Sequence, residues 1–180
     1  MEDFLPLVSV TLLCSLGAEP DRSWVELLTA LSAAKSLTVH SHSNTPSKLP
    51  MLKFLNLKHF EFRASHCSLS DWLLINQIIE SSYELEHLCI EEDTKIHYLP
   101  EPKESFWIEP QSVPTCMLNN LRTIKFVNFK GLKSDIKFMT YMLGNAQVLK
   151  TLAIICDSAP LEEEFRLTAE LLKLPRASRM

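Results

Sequence analysis

Apolar residues recur along this chain in one short phrase: an apolar residue, two of any kind, an apolar residue, one of any kind, and a third apolar residue. The phrase is read at Leu7, Val10 and Leu12, at Ala34, Leu37 and Val39, and at Leu57, Phe60 and Phe62. It returns at Leu85, Leu88 and Ile90, at Leu121, Ile124 and Phe126, and at Leu149, Leu152 and Ile154. The first members are separated by 27, 23, 28, 36 and 28 residues. The last two apolar positions of each phrase lie two apart, so an extended strand turns them to the same face. Six short strands are expected, with their polar alternates on the opposite face.

Helical spacing occupies the intervals. Ser23 and Glu26 are placed as a capping box for a helix with Trp24, Leu27, Leu28 and Leu31 along one stripe. Residues 71–82 repeat the rhythm with Trp72, Ile75 and Ile79, flanked by Leu74 and Ile78. Ser134 is positioned to cap a helix carrying Ile136, Met139 and Leu143, and Gly144 to close it. A last helix, about residues 161–174, has Pro160 at its start and Glu162, Glu163 and Glu164 in its first turn. Lys173 lies near its end, a charge order that suits the helix dipole. Residues 42–50 read as a loop in place of a helix, and residues 98–114, with four prolines, as a rigid junction. Alternating strands and helices predict an α/β fold with a largely parallel sheet. A strand phrase recurring every ~20–29 residues is that of a leucine-rich repeat. The expected architecture is a degenerate leucine-rich-repeat solenoid with helices on its convex side. It is degenerate because the usual Asn at the repeat bend is missing and one step is long.

Composition narrows the function. With 46% hydrophobic and 22% charged residues in 180, the chain can bury a core. Its net charge of -4 argues against a broad phosphate-binding surface, so no nucleic acid is expected as a partner. Five cysteines, an odd number without any CxxC pair, read as reduced thiols in an intracellular protein, cytoplasmic or nuclear. Residues 4–18 are apolar, but Glu2 and Asp3 precede them and no Lys or Arg comes before Arg22. That is the wrong charge for a secretory leader, and the stretch is too short for a bilayer span. It is assigned to the first strand, and no membrane contact is expected.

Catalytic patterns are missing. The segment His40-Ser41-His42, with His66, Cys67 and Cys89, lacks the tight spacings of a metal site. Asp71, Glu80, Glu91, Glu92 and Asp93 read as solvated helix ends and strand exits. Three glycines leave little for a phosphate cradle. No catalytic residue, metal or cofactor is therefore assigned, and the chain is read as non-enzymatic. The alternates of the apolar ladder are more informative. On the third and fourth strands they are charged or imidazole-bearing, and repeat proteins bind partners on such sheet faces. A protein-binding face centred on His59, Glu61, Arg63, His87 and Glu91 is expected.

One stretch carries a family resemblance. Trp107, Pro110, Val113, Pro114, Cys116, a strand over residues 121–126, Phe129-Lys130-Gly131, a helix through Tyr141 and Leu143, Asn145-Ala146 and Leu149 together resemble the FBD domain of plant F-box proteins. "LPLVSVTLL", "LTVHS" and "LPMLKFLNLKHFEF" resemble the leucine-rich repeats that precede it, and "LLKLPRAS" resembles its end. The resemblance implies residues 1–98 as degenerate repeats and residues 99–180 as an FBD-like domain continuing the same solenoid. It implies the substrate-recognition arm of an F-box protein in an SCF ubiquitin ligase, with a protein partner of unknown identity. No segment resembles the F-box, the module that docks on the Skp-type adaptor, so ligase recruitment is assigned to no residue. Two alternatives stand beside this reading: a truncated or regulatory fragment competing with full-length relatives, and an unrecognised hydrolase. Packing accounts for the matching residues: prolines forcing an extended entry into a strand, Trp107 covering the end of the repeat core, Cys116 as a buried filler, and Gly131 at a turn. Uncapped ends, with residues 8–13 as an edge strand, are expected to favour self-association.

Overall fold

The computed structural model describes residues 9–14, 31–41, 53–65, 67–93, 106–156 and 160–178. Among these residues six strands form one sheet: β1 (Ser9–Cys14), β2 (Ser36–Ser41), β3 (His59–Ala64), β4 (His87–Glu92), β5 (Thr123–Val127) and β6 (Thr151–Ile155). Their order in the sheet is their order in the chain, and all five pairings are parallel. The fold is thus α/β, with four α-helices among the described residues: α1 (Leu69–Ser81), α2 (Thr115–Asn119), α3 (Lys133–Asn145) and α4 (Leu161–Leu172). A short 3-10 turn spans Leu31–Ala33.

The apolar phrase sets the register. Val10, Leu37, Phe60, Leu88, Ile124 and Leu152 stand side by side across the sheet. Leu12, Val39, Phe62, Ile90, Phe126 and Ile154 form a second row. The four central members of each row are buried, whereas Val10, Leu152 and Ile154 are only partly so. Among the described residues the strands at either end have a neighbour on one side only, so the ladder is least covered there. A one-residue slip would turn every rung over, which is why the alternation specifies the pairing strongly.

A backbone device repeats between rungs. The carbonyl of Lys35 accepts the N–H groups of Lys58 and His59 at 2.8 and 3.1 Å. The carbonyl of Lys58 accepts those of Glu86 and His87, that of Glu86 those of Arg122 and Thr123, and that of Arg122 those of Lys150 and Thr151, all between 2.9 and 3.1 Å. Each strand therefore starts beside the start of the one before it.

The helices cover the apolar face. α1 starts at the N-cap Ser68, whose hydroxyl accepts from the Asp71 N–H while Asp71 Oδ2 accepts from the Ser68 N–H at 2.8 Å. This capping box comes from Ser68-x-x-Asp71, three residues before the expected start. Trp72 of α1 lies 5.0 Å, centroid to centroid, from Phe138 of α3. Gly131 has φ +69, the left-handed turn expected of it, and packs directly against Leu167 of α4.

Several local expectations are corrected. Pro114 does not lead directly into a strand: it is the N-cap of α2, and the strand begins at Thr123. Pro fixes φ as the first helical turn requires, so it initiates a helix as readily as an extended segment. Ser134 does not cap α3. Leu132 holds the N-cap position, Asp135 Oδ2 accepts its N–H at 3.0 Å, and the Ser134 hydroxyl instead accepts from the Phe106 N–H at 2.8 Å. Gly144 lies inside α3, whose C-cap is Ala146. Trp107 does not cover an end of the core. It sits between helices, in edge contact with Phe138 and tilted against Tyr141 at 5.3 Å, its indole N–H donating to Asn76 Oδ1 at 3.2 Å. Cys116 is fully buried. The capping box at Ser23 and Glu26 and the loop 42–50 lie outside the described residues.

Candidate functional site

Alternation along β3 and β4 places the five candidate residues together on the face opposite the helices. His59 pairs in register with His87, Glu61 with Cys89, and Arg63 with Glu91. The imidazoles of His59 and His87 stack with centroids 4.5 Å apart and planes 7° from parallel. Burial, then the neighbouring His87, holds the His59 pKa below its ordinary value. Arg63 donates through Nη2 and Nε to Glu61 Oε1 at 2.7 and 2.9 Å, and its Nε lies 3.3 Å from Glu91 Oε2. The hydrogen bond to Glu61 raises the Arg63 pKa further. Cys89, between these groups, has its thiol pushed up to about 11 by burial and by Glu61. That thiol is a poor nucleophile, because thiolate is the reactive form. All five residues are at least partly accessible to solvent.

Sequence reasoning followed only the alternation within strands and so missed a second row. The residue just before each strand from β2 to β6 is Lys35, Lys58, Glu86, Arg122 or Lys150 in turn, and the carbonyls of the first four serve the next rung. Four of these five are basic. Lys58 Nζ and Glu86 Oε1 pair at 2.6 Å, and Arg122 also acts electrostatically on Glu86. The signal was available as a fixed offset, the residue immediately after the first apolar member of each phrase.

The carboxylates read as solvated divide. Glu80 and Asp93 are exposed and Glu91 is half-exposed, but Asp71 and Glu92 are buried. Asp71 Oδ1 accepts from the Ser41 hydroxyl at 2.7 Å, and Glu92 Oε1 accepts from the Cys67 N–H at 3.1 Å. Glu92 Oε2 lies 3.3 Å from Lys130 Nζ. The buried Asp135 was not singled out in the sequence; burial, then the charge of Glu92, pushes its pKa up to about 8. These groups follow the strand ends on the helical side, where they cap helices and tie loops. Of the soft-ligand candidates, His40 and Cys89 lie on the open face and Cys67 is buried on the other, while His42 and His66 lie outside the described residues. Among the described residues no group of three or more His, Cys, Asp or Glu side chains is arranged to hold a metal ion. No described helix is long and apolar enough to cross a membrane.

Comparison with known proteins locates the chain. Residues 109–154, which run from the turn before α2 into β6, match the FBD domain family. An FBD-associated F-box protein of Arabidopsis thaliana is 32% identical over 157 residues, covering 83% of this chain and 33% of its own length. An F-box/FBD/LRR-repeat protein of the same plant is 30% identical over 156 residues, covering 85% of this chain and 31% of that protein. A second protein of that description is 30% identical over 114 residues, 62% of this chain and 26% of its own length. The chain thus spans about a third or less of the length of each of these three relatives. No solved structure matches it. A chain whose FBD match coincides with its α2–β6 segment, and whose similarity to these relatives extends over most of its length, belongs to the family of plant F-box/FBD/LRR-repeat proteins.

Proposed function

We propose that the chain is a non-enzymatic protein-binding module that captures its partner on the open face of the sheet, as the substrate-recognition arm of an F-box protein would. In this reading residues 1–98 are degenerate leucine-rich repeats, residues 99–180 are the FBD-like unit, and the two form one intracellular solenoid. Strand order that follows chain order, with every pairing parallel, supports the solenoid. The observation that carries the functional reading is the convergence of His59, Glu61, Arg63, His87 and Glu91 on two adjacent strands, on the face the helices leave accessible. Apolar packing on the other face positions them, and they contribute little to folding, because exposed ion pairs are worth ~0–1 kcal/mol. The names of the relatives support a role beside a ubiquitin ligase, in which the partner held on this face is a substrate for ubiquitination. Replacing the five residues together by Ala or Ser is expected to leave the circular dichroism spectrum and melting temperature near wild type. It is expected to abolish capture of partners by affinity purification with mass spectrometry. An unchanged capture profile from the well-folded variant would falsify the reading.

A further inference from the structure

The charges on β3 and β4 are largely answered within the face itself. Glu61 and Glu91 flank Arg63, and Lys58 pairs with Glu86. β5 and β6 differ. Arg122, Lys125 and Lys150 are all exposed, and among the described residues none of them forms an ion pair. Lys125 stands in register between two smaller residues, Cys89 and Ala153, so its ammonium has no bulky neighbour to shield it on either side. Arg122 and Lys150 mark the starts of the same two strands. At the other end of these strands the open face turns apolar, with Val127 in register beside Ile155, which is 43% exposed. Three exposed cations outside the described ion pairs, only Arg122 of them acting on a nearby carboxylate, Glu86, on strands whose far ends are apolar, form a local basic patch in a chain of net charge -4.

From this charge complementarity we propose that the β5–β6 half of the open face docks an acidic segment of a partner protein, one with carboxylates over Arg122, Lys125 and Lys150 and an apolar side chain over Val127 and Ile155. The inference rests on the protein-binding reading above and assigns the partner's chemistry within it. Nucleic acid fits less well, because the neighbouring Glu61, Glu86 and Glu91 would repel a continuous phosphate backbone. The charges steer and select the partner, and the apolar step holds it.

A fluorescein-labelled peptide of alternating Asp and Leu is the probe, with an Asn-Leu peptide and a single-stranded oligothymidylate as comparisons. Polarisation titrations of the full chain should show saturable binding of the Asp-Leu peptide that weakens as salt rises, and little binding of the other two. Arg122→Glu with Lys125→Glu should weaken it by about tenfold or more and shift preference to a Lys-Leu peptide. Both substitutions are on exposed side chains, and circular dichroism of the variant should match that of the wild type. Equal binding of the Asn-Leu peptide, tighter binding of the oligonucleotide, no binding at all, or no response to charge reversal overturns the inference. The Ala/Ser variant of β3 and β4 leaves these cations in place. Loss of partner capture in that variant alone, with capture intact in the charge-reversed one, sinks this assignment and spares the broader reading.

Discussion

Single side chains in this protein are constrained most where the strands end. Gly131 adopts φ +69, and a Cβ there would lie 2.1 Å from Leu167 Cδ2. Gly131→Ala therefore meets a left-handed backbone and a clash with a buried side chain together. A loss of about 1–3 kcal/mol in urea unfolding is expected. The need for a turn there was legible in the sequence, but the approach of α4 was not, since it joins residues far apart in the chain. Asp135 gives a pH-dependent prediction. Its folded pKa, raised to about 8 by burial and Glu92, exceeds that of an exposed carboxyl. Between roughly pH 4 and 8 the native state then holds a proton the unfolded chain has released. The stability this group contributes is complete below the unfolded pKa and is lost as pH rises toward 8. Lys130, Glu92 and the Leu132 N–H also act on it, and the Glu92 charge works in the same direction as burial. Urea midpoints of the wild type should fall across this window more steeply than those of Asp135→Asn, and parallel curves would refute the assignment.

Among the elements, the strands were easier to read than the helix boundaries. Period-two alternation fixes which residues face the core regardless of exactly where a strand stops. Helix ends depend on which nearby polar group reaches the free N–H groups. The α1 cap lies in Ser68 and Asp71, where the sequence pattern had placed the helix start at Asp71 itself. The α3 start is held by the Asp135 carboxyl group, while Ser134 is taken by the Phe106 N–H from a distant segment. α2 went unanticipated because five residues are too few to show helical periodicity. Trp107 illustrates how an element is joined to its neighbours. It contacts Phe138 and Tyr141 of α3 and donates to Asn76 of α1, so it links helices on either side of the longest interval in the repeat. Trp107→Ala should cost about 3–5 kcal/mol, as measured by denaturant unfolding. Asn76→Ala, which leaves the indole N–H without this acceptor, should cost a smaller part of that, about 1–3 kcal/mol.

For the molecule as a unit, the sheet is open at both ends among the described residues, with β1 and β6 outermost. Beside β6, a groove of about 580 Å³ is lined by Leu152, Ile154, Leu161, Phe165 and Leu172. Leu161, Phe165 and Leu172 are each at least 65% exposed. An unpaired strand edge beside exposed apolar side chains favours association. Sedimentation velocity of the isolated chain should show mass rising with concentration, and Phe165→Glu with Leu172→Glu should reduce that rise. A monomer at every concentration would remove the expectation of self-association.

The spacing of apolar residues was sufficient for the class of fold and for the rungs. Alternation is a local property, and burying one face of a parallel sheet leaves a single consistent register. For the same reason the five residues of the candidate face could be named before any coordinate. Which of their charges are answered was beyond the sequence, because Arg63 is bracketed by one carboxylate on its own strand and another on the next. The burial of Glu92 and Asp135, the bridge made by Trp107 and the unpaired cations of β5 and β6 were equally out of reach. Each depends on side chains from separate rungs meeting across the sheet, a distance that no pattern along the chain encodes.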